Sequence, residues 1–220
     1  MQLTPEQYLR AGTSSAWHVP DLVPTEPAQI RLLFVLESPH VDELDVGRPV
    51  VGGAGKSALR FLQGVNWAGA SLGEFVVGKH ALRDGRLAVM NVSTIPLQRE
   101  AFARTAATPD LSPQEWKWLG VTFRNSRART VDATGVPPAD AIGGMLLDGL
   151  QERVDQLGLD AACTIVACGR FAQRYVRQLN GLPRKPLAVP HPANNQWHPK
   201  QEQVPHGLMR AQQLFADNTR

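Results

Sequence analysis

Cysteine is nearly absent from this chain: two residues in 220. That excludes a secreted disulfide scaffold, because a domain of this length buries enough surface to hold together without covalent staples. Both cysteines, Cys163 and Cys168, fall in "CTIVACG", which reads as a buried strand. Five positions apart, their side chains point to opposite faces, so they are expected as core thiols and not as a metal pair. Long hydrophobic runs are missing as well. No stretch of about 18 apolar residues occurs, so no membrane span is expected. The opening "MQLTPEQYLR" has no apolar segment ahead of a small-residue cleavage site, which argues against a signal peptide and for a cytoplasmic setting. Nor does charge of one sign dominate. Twenty-three Lys and Arg stand against 20 Asp and Glu, a net +3, which permits a nucleic-acid partner without demanding one. No internal repeat or low-complexity linker divides the chain. One compact domain over residues 1–220 is expected, working as a monomer.

What the sequence does contain is a regular alternation. Four short apolar runs stand out: Ile30–Leu36, Arg86–Val92, Cys163–Cys168 and Pro186–Val189. None alternates cleanly between polar and apolar, which is how strands covered on both faces read. Helical patterns separate them. Ile142, Leu146, Leu150, Val154 and Leu157 form one stripe, and Phe171, Tyr175 and Leu179 another. Helices alternating with strands predict a three-layer α/β/α sandwich around a central four-stranded parallel sheet. In such sheets ligands bind beyond the carboxyl ends of the strands. There the sequence places "ESPH" (Glu37, Ser38, Pro39, His40), Asn91 before "STIP", and His191 in "PHPANNQWHP". A carboxylate, an amide and an imidazole at three strand ends make a candidate active site. Taken singly, Asn91 reads equally as a turn cap, His191 as packing on Pro192, and Glu37 as solvated.

The run "GGAGKS" (Gly52–Ser57) looks like the end of a nucleotide phosphate loop. Such a loop needs a glycine five positions before the glycine of G-K-[ST], directly after a strand. That position is Val50, and valine does not readily take the positive backbone angles glycine allows. The preceding "VDELDVGRP" is acidic and proline-punctuated, not a strand. The run is therefore expected as a loop and helix start, with Gly55, Lys56 and Ser57 near a DNA phosphate or simply permitting tight packing.

Four motifs in order resemble the uracil-DNA glycosylase superfamily, closest to its family-four type. "LESPHVDELDVGRPVVGGAGKSALRFL" is similar to a G-E-A-P-G motif, a short acidic spacer and G-R-P-F-V-G-x-A-G with its helix. "AVMNVSTIP", "TIVACGRFAQRYV" and "AVPHPANNQW" follow as the second strand, the third strand with its helix, and an H-P-[SA] motif. The resemblance implies a monofunctional DNA glycosylase that flips a deaminated or modified pyrimidine out of the duplex and hydrolyses its glycosidic bond. His191 would donate to the base oxygen as negative charge develops, and Asn91 would read the pairing edge. Glu37 would activate water or stabilise the positive sugar, and Pro39 would hold the loop amides against the base.

The departures are specific. Ser38 stands where family-one relatives have aspartate, so water activation falls to Glu37, Asp42 or Glu43. His40 stands where family four has glycine and family one a tyrosine that blocks C5 substituents. Val50 replaces the stacking phenylalanine, giving up an interaction worth about 1–3 kcal/mol in single-strand binders. With two cysteines, the family-four iron–sulfur cluster is not expected, and no other cofactor is. Residues 98–140 are foreign to the match, rich in arginine (Arg99, Arg104, Arg124, Arg127, Arg129) with Trp116, Trp118 and Phe123 between them. They suit a DNA grip or a small helical cap with a tryptophan in its core. Trp197 or Asn195 is expected to fill the gap left by the flipped base, unless Trp197 packs on His198–Pro199. Alternatives are a non-catalytic nucleic-acid-binding module of the same fold, a glycosylase for bulky modified bases acting against foreign DNA, and, least favoured, a P-loop enzyme.

Overall fold

In the computed structural model the described residues are 2–105, 108–124, 138–193, 196–197 and 204–219. Four strands form one sheet: β1 (Leu32–Leu36), β2 (Leu87–Asn91), β3 (Thr164–Cys168) and β4 (Leu187–Val189), in the order β2-β1-β3-β4. Every pairing is parallel, with Leu32 beside Leu87 and Thr164. Parallel neighbours need long crossovers, and helices supply them. The strands run one to two residues shorter than the apolar runs, because their flanking residues belong to the turns that feed the sheet.

The first three strands are buried throughout, as expected for a sheet covered on both faces. Successive residues of β1 serve opposite layers. Leu33 and Val35 join one core cluster, while Leu32, Phe34 and Leu36 join the other. The first layer is built by α1 (Pro5–Arg10), α5 (Pro113–Arg124), α6 (Pro138–Gln156) and α7 (Gly169–Val176). The second comes from α3 (Gly52–Gln63), α4 (Leu72–Ala81) and α8 (His206–Thr219). The molecule is thus a three-layer α/β/α sandwich. The stripes Ile142–Leu157 and Phe171–Leu179 face the first layer's core as their spacing requires. Cys163 and Cys168 are free and buried in opposite layers. Among the described residues no helix is long and apolar enough to cross a membrane.

Described residues of the foreign segment join the core, among them Phe102, Trp116 and Leu119. Trp116 lies edge-on to Tyr8 and tilted against Phe102 in the first layer. Of the two readings of this segment, Trp116 follows the helical cap with a tryptophan in its core: it is buried at 8% exposure, because α5 docks on α1 and α6. Trp118 is partly buried against the same cluster. Arg127, Arg129, Asn195 and His198, with the side chains of Phe123 and Arg124, lie outside the described residues.

Candidate active site

The parallel register brings the carboxyl ends of the strands to one edge. Beyond it lies a cavity of about 370 Å³ lined by Glu37, Ser38, His40, Val50, Asn91 and His191, among others. That volume suits a small ligand. Six of the seven residues assigned from sequence to catalysis or base binding thus share one space. Pro39, the seventh, is buried and is not part of that lining.

His191 follows β4 by two residues and is held by its surroundings. Gln173 of α7 donates to the Val189 carbonyl at 2.7 Å, and the Trp197 indole donates to the Pro190 carbonyl at 2.7 Å. The Ala193 amide donates to His191 Nδ1 at 3.2 Å. An Nδ1 that accepts leaves the neutral ring its proton on Nε2. Burial pushes the imidazole down to about 4, since desolvation disfavours the cation. At neutral pH His191 is therefore an uncharged Nε2–H donor.

Glu37 continues directly from β1. Burial raises its carboxyl to about 7, with no cation lowering it. The close fit explains the burial. A Cβ on Gly169, at the start of α7, would stand 2.9 Å from Glu37 Oε1 and 3.1 Å from His191 Cβ. Gly169 adopts φ +89°, a backbone state glycine reaches freely. A carboxyl poised near neutrality is suited to taking up a proton at physiological pH.

Asn91 closes β2 and is 2% exposed. Its Nδ2 is buried with no hydrogen-bond partner, a costly state that a ligand acceptor would relieve. Its backbone is clamped. Arg153 of α6 donates to the carbonyls of Asn91 at 2.9 Å and Val92 at 2.7 Å, and pairs with Asp21 at 2.6 Å.

The remaining wall comes from the short helix α2 (Val41–Val46) and the turn after it. Glu43 Oε2 accepts from the His40 amide at 2.8 Å, and Oε1 accepts from the Val50 amide at 2.5 Å. Burial raises this carboxyl to about 7, the two amide bonds opposing that rise. The Val50 carbonyl accepts from the Gly73 amide at 3.0 Å.

Val50 corrects an expectation. It takes φ +56°, the left-handed state that valine was expected to avoid. For a β-branched residue this costs on the order of 1–3 kcal/mol and persists only where surroundings impose it. Bonds at both its amide and its carbonyl impose it here. Of the loop and helix start expected of the glycine run, the structure shows the helix start. It forms the first turn of α3, whose amides have no side-chain cap. Gly53 and Ala54 of that turn line the cavity. Gly55 does not. Its missing Cβ would fall 1.9 Å from the Val50 carbonyl oxygen, so its place is close packing and not DNA contact. Lys56 is exposed and Ser57 half-buried, both outside the cavity wall.

Trp197 is a second correction. At 1% exposure it is packed against Phe34 and Phe61, so it cannot enter a duplex. It anchors the loop that carries His191 instead. Of the two carboxylates offered as alternatives to Glu37, Glu43 has both oxygens engaged, and Asp42 pairs with Arg104 at 2.9 Å.

Sequence reasoning missed Gly169, Gln98, Arg153 and Asp21. Gly169 carried a signal, a glycine where a strand turns into a helix. Gln98 lines the cavity from a loop whose path no motif marks. Arg153 and Asp21 lie 132 positions apart, so only the fold pairs them.

No protein-family model matches the chain, and no curated protein gives a significant match. Class is thus defined by fold and site alone: an open parallel α/β sheet with a polar cavity at its carboxyl edge.

Proposed function

We propose that the chain is a monofunctional DNA glycosylase of the uracil-DNA glycosylase type, acting on a flipped pyrimidine. The observation that carries this reading is the meeting of three groups in one cavity. They are a neutral imidazole donor, an unpartnered buried amide, and a carboxyl held near neutrality. Each suits one demand of the reaction. As the bond from the sugar C1′ to the base nitrogen breaks, its electron pair leaves with the base. His191 Nε2–H hydrogen-bonds to the base oxygen and stabilises that anion without giving up its proton. Asn91 offers an amide donor and acceptor to the pairing edge. Glu37, ionised, stabilises the positive sugar and takes a proton from the water that adds to C1′. The products are an abasic sugar and the free base, which receives its proton from solvent.

Among the described residues no lysine lines the cavity, in keeping with hydrolysis unaccompanied by a lyase step. Arg48 before α3, and Lys56 and Arg60 on it, are exposed cations available to a DNA backbone. A modified pyrimidine is the second reading of the substrate. Val50 supports it, since a small side chain lines the cavity where the resembling family carries a phenyl ring.

The test is a single-turnover assay on duplex and single-stranded oligonucleotides carrying uracil or C5-modified pyrimidines, with alkali to reveal abasic sites. Cleavage at one base class is expected. His191→Ala and Asn91→Ala should each slow it by roughly 100-fold or more, by analogy with loss of an oxyanion donor, while DNA affinity is kept. Binding with no cleavage of any base would instead support a non-catalytic module. Unaltered cleavage in both variants would remove these residues from the site.

A further inference from the structure

Glu43 sits in the cavity wall without a place in the chemistry. Its two oxygens receive amides from the two ends of one wall segment, His40 before α2 and Val50 after it. Few side chains can do this. A carboxylate accepts at both oxygens and has about four lone-pair sites, whereas a carboxamide would turn donors toward one of the amides. Glu43 and Asn91 line the same cavity, and there the buried Asn91 Nδ2 has no hydrogen-bond partner. An acceptor-only group beside an amide draws its nitrogen and repels its oxygen.

We propose that Glu43 is a positioning residue: one carboxylate pins the His40–Val50 wall and fixes which way the Asn91 amide faces a bound base. The inference deepens the glycosylase reading and rests on it for the word "base". Two further features make the wall depend on Glu43. Val50 is held at φ +56°, a state that relaxes once its amide is released. Gly55 and Gly73 come so close to the Val50 and Pro49 carbonyls that a Cβ on either would clash, so the turn is tightly packed on its helix side.

The charged groups around Glu43 are few. Asp42, next to it in α2, opposes its ionisation and is itself paired with Arg104. Glu37 lies in the same cavity. Ionised Glu43 holds the two backbone amides and orients Asn91; protonated Glu43 turns one oxygen from acceptor to donor and loses part of that hold.

The experiment is a pH titration by NMR of protein labelled with 15N at Val, His and Asn. The Val50 and His40 backbone amides and the Asn91 side-chain amide are followed in wild type, Glu43→Gln, Glu43→Asp and Glu37→Gln. The three signals are expected to move together with one midpoint near 7 in wild type and in Glu37→Gln. They should lose that shared transition in Glu43→Gln. In Glu43→Asp, one methylene shorter, the His40 and Val50 amides should cease to report together. Separate midpoints in wild type, or a shared transition surviving in Glu43→Gln, overturns the proposal, as does its loss in Glu37→Gln, the variant that separates the two carboxyls raised to about 7.

The single-turnover assay supplies the functional arm. Glu43→Gln should lose about 10- to 100-fold in rate at saturating enzyme, as a misplaced group does. DNA affinity should stay within about threefold, and the preference between oxo- and amino-bearing bases should narrow. Full rate with full preference in Glu43→Gln counts against the proposal. If no base is cleaved by wild type, the glycosylase reading fails while the NMR result still decides the role of Glu43.

Discussion

Replacing Glu37 by glutamine should make the protein more stable at pH 8 while disabling it. The carboxyl has no cation to hold its charge, and burial lifts it from the ordinary 4.5 to about 7. A rise of that size corresponds to about 3 kcal/mol, at about 1.4 kcal/mol per tenfold. Partial exposure of the group screens this to about 1–3 kcal/mol. The sign follows from proton counting. Between about 4.5 and 7 the folded state binds the proton that the unfolded state has released, so stability falls as pH rises through that window. Glutamine cannot ionise and escapes the loss. Urea melts of wild type and Glu37→Gln at pH 5 and pH 8 measure the effect. The variant should be close to wild type at pH 5 and more stable by about 1–3 kcal/mol at pH 8. Glu43 also titrates near 7, but it is present in both proteins and cancels in the difference. An equal difference at both pH values, or a variant weaker at pH 8, would refute the account of Glu37 as an uncompensated charge.

Other outcomes follow from the same geometry. The single-turnover rate should rise at least about tenfold per pH unit below 7 and level off above it, as Glu37 becomes the ionised base and Glu43 regains its hold on the wall; His191, neutral down to about 4, should add no descending limb in the pH 5–8 range, and a bell-shaped curve there would contradict its assignment. Gly169→Ala places a methyl against Glu37 and His191 at φ +89°. It should cost about 1–3 kcal/mol in a chemical melt and most of the activity, with a crystal structure expected to show one of the two side chains displaced. Trp197→Ala should cost about 3–5 kcal/mol, as for a large buried aromatic, and should free the His191 loop, read as faster amide exchange at Ala193.

The layers and the sheet were legible because their signals are local. The β1 run and the Ile142–Leu157 stripe each carry their period within one element, so four strands and their helices follow from the sequence. The cavity was legible at one remove. Glu37, Asn91 and His191 end different strands, and parallel strands bring those ends to one edge. The rest depended on contacts between distant segments. Val50 as a left-handed residue cannot be read from "RPVV", since Glu43 and Gly73 impose that conformation from outside. Trp197 looked like a surface aromatic because "ANNQWHP" is polar, yet Phe34 and Phe61, 163 and 136 positions earlier, receive it.

Arg153 offers the sharpest separation of a structural role from a chemical one. Its guanidinium meets Asp21, the carbonyls of Asn91 and Val92, and the Gly149 carbonyl, and lies outside the Glu37–His191 cavity wall. The Asp21 side chain is 12% exposed and that of Arg153 21%, so removing one partner leaves a largely buried charge. Arg153→Met should therefore cost about 2–4 kcal/mol. Much of that is the orphaned Asp21, so adding Asp21→Asn should recover part of the loss, even though it removes a second charged group. A coupling of about 1–3 kcal/mol in the double-mutant cycle is expected. If the two changes simply add, Asp21 and Arg153 do not act as a pair. Activity distinguishes the levels further. The double variant restores charge balance but leaves the Asn91 and Val92 carbonyls without their donor, so stability should recover more than the single-turnover rate. Equal recovery of both would mean that the clamp supports the fold alone and that β2 presents Asn91 unaided.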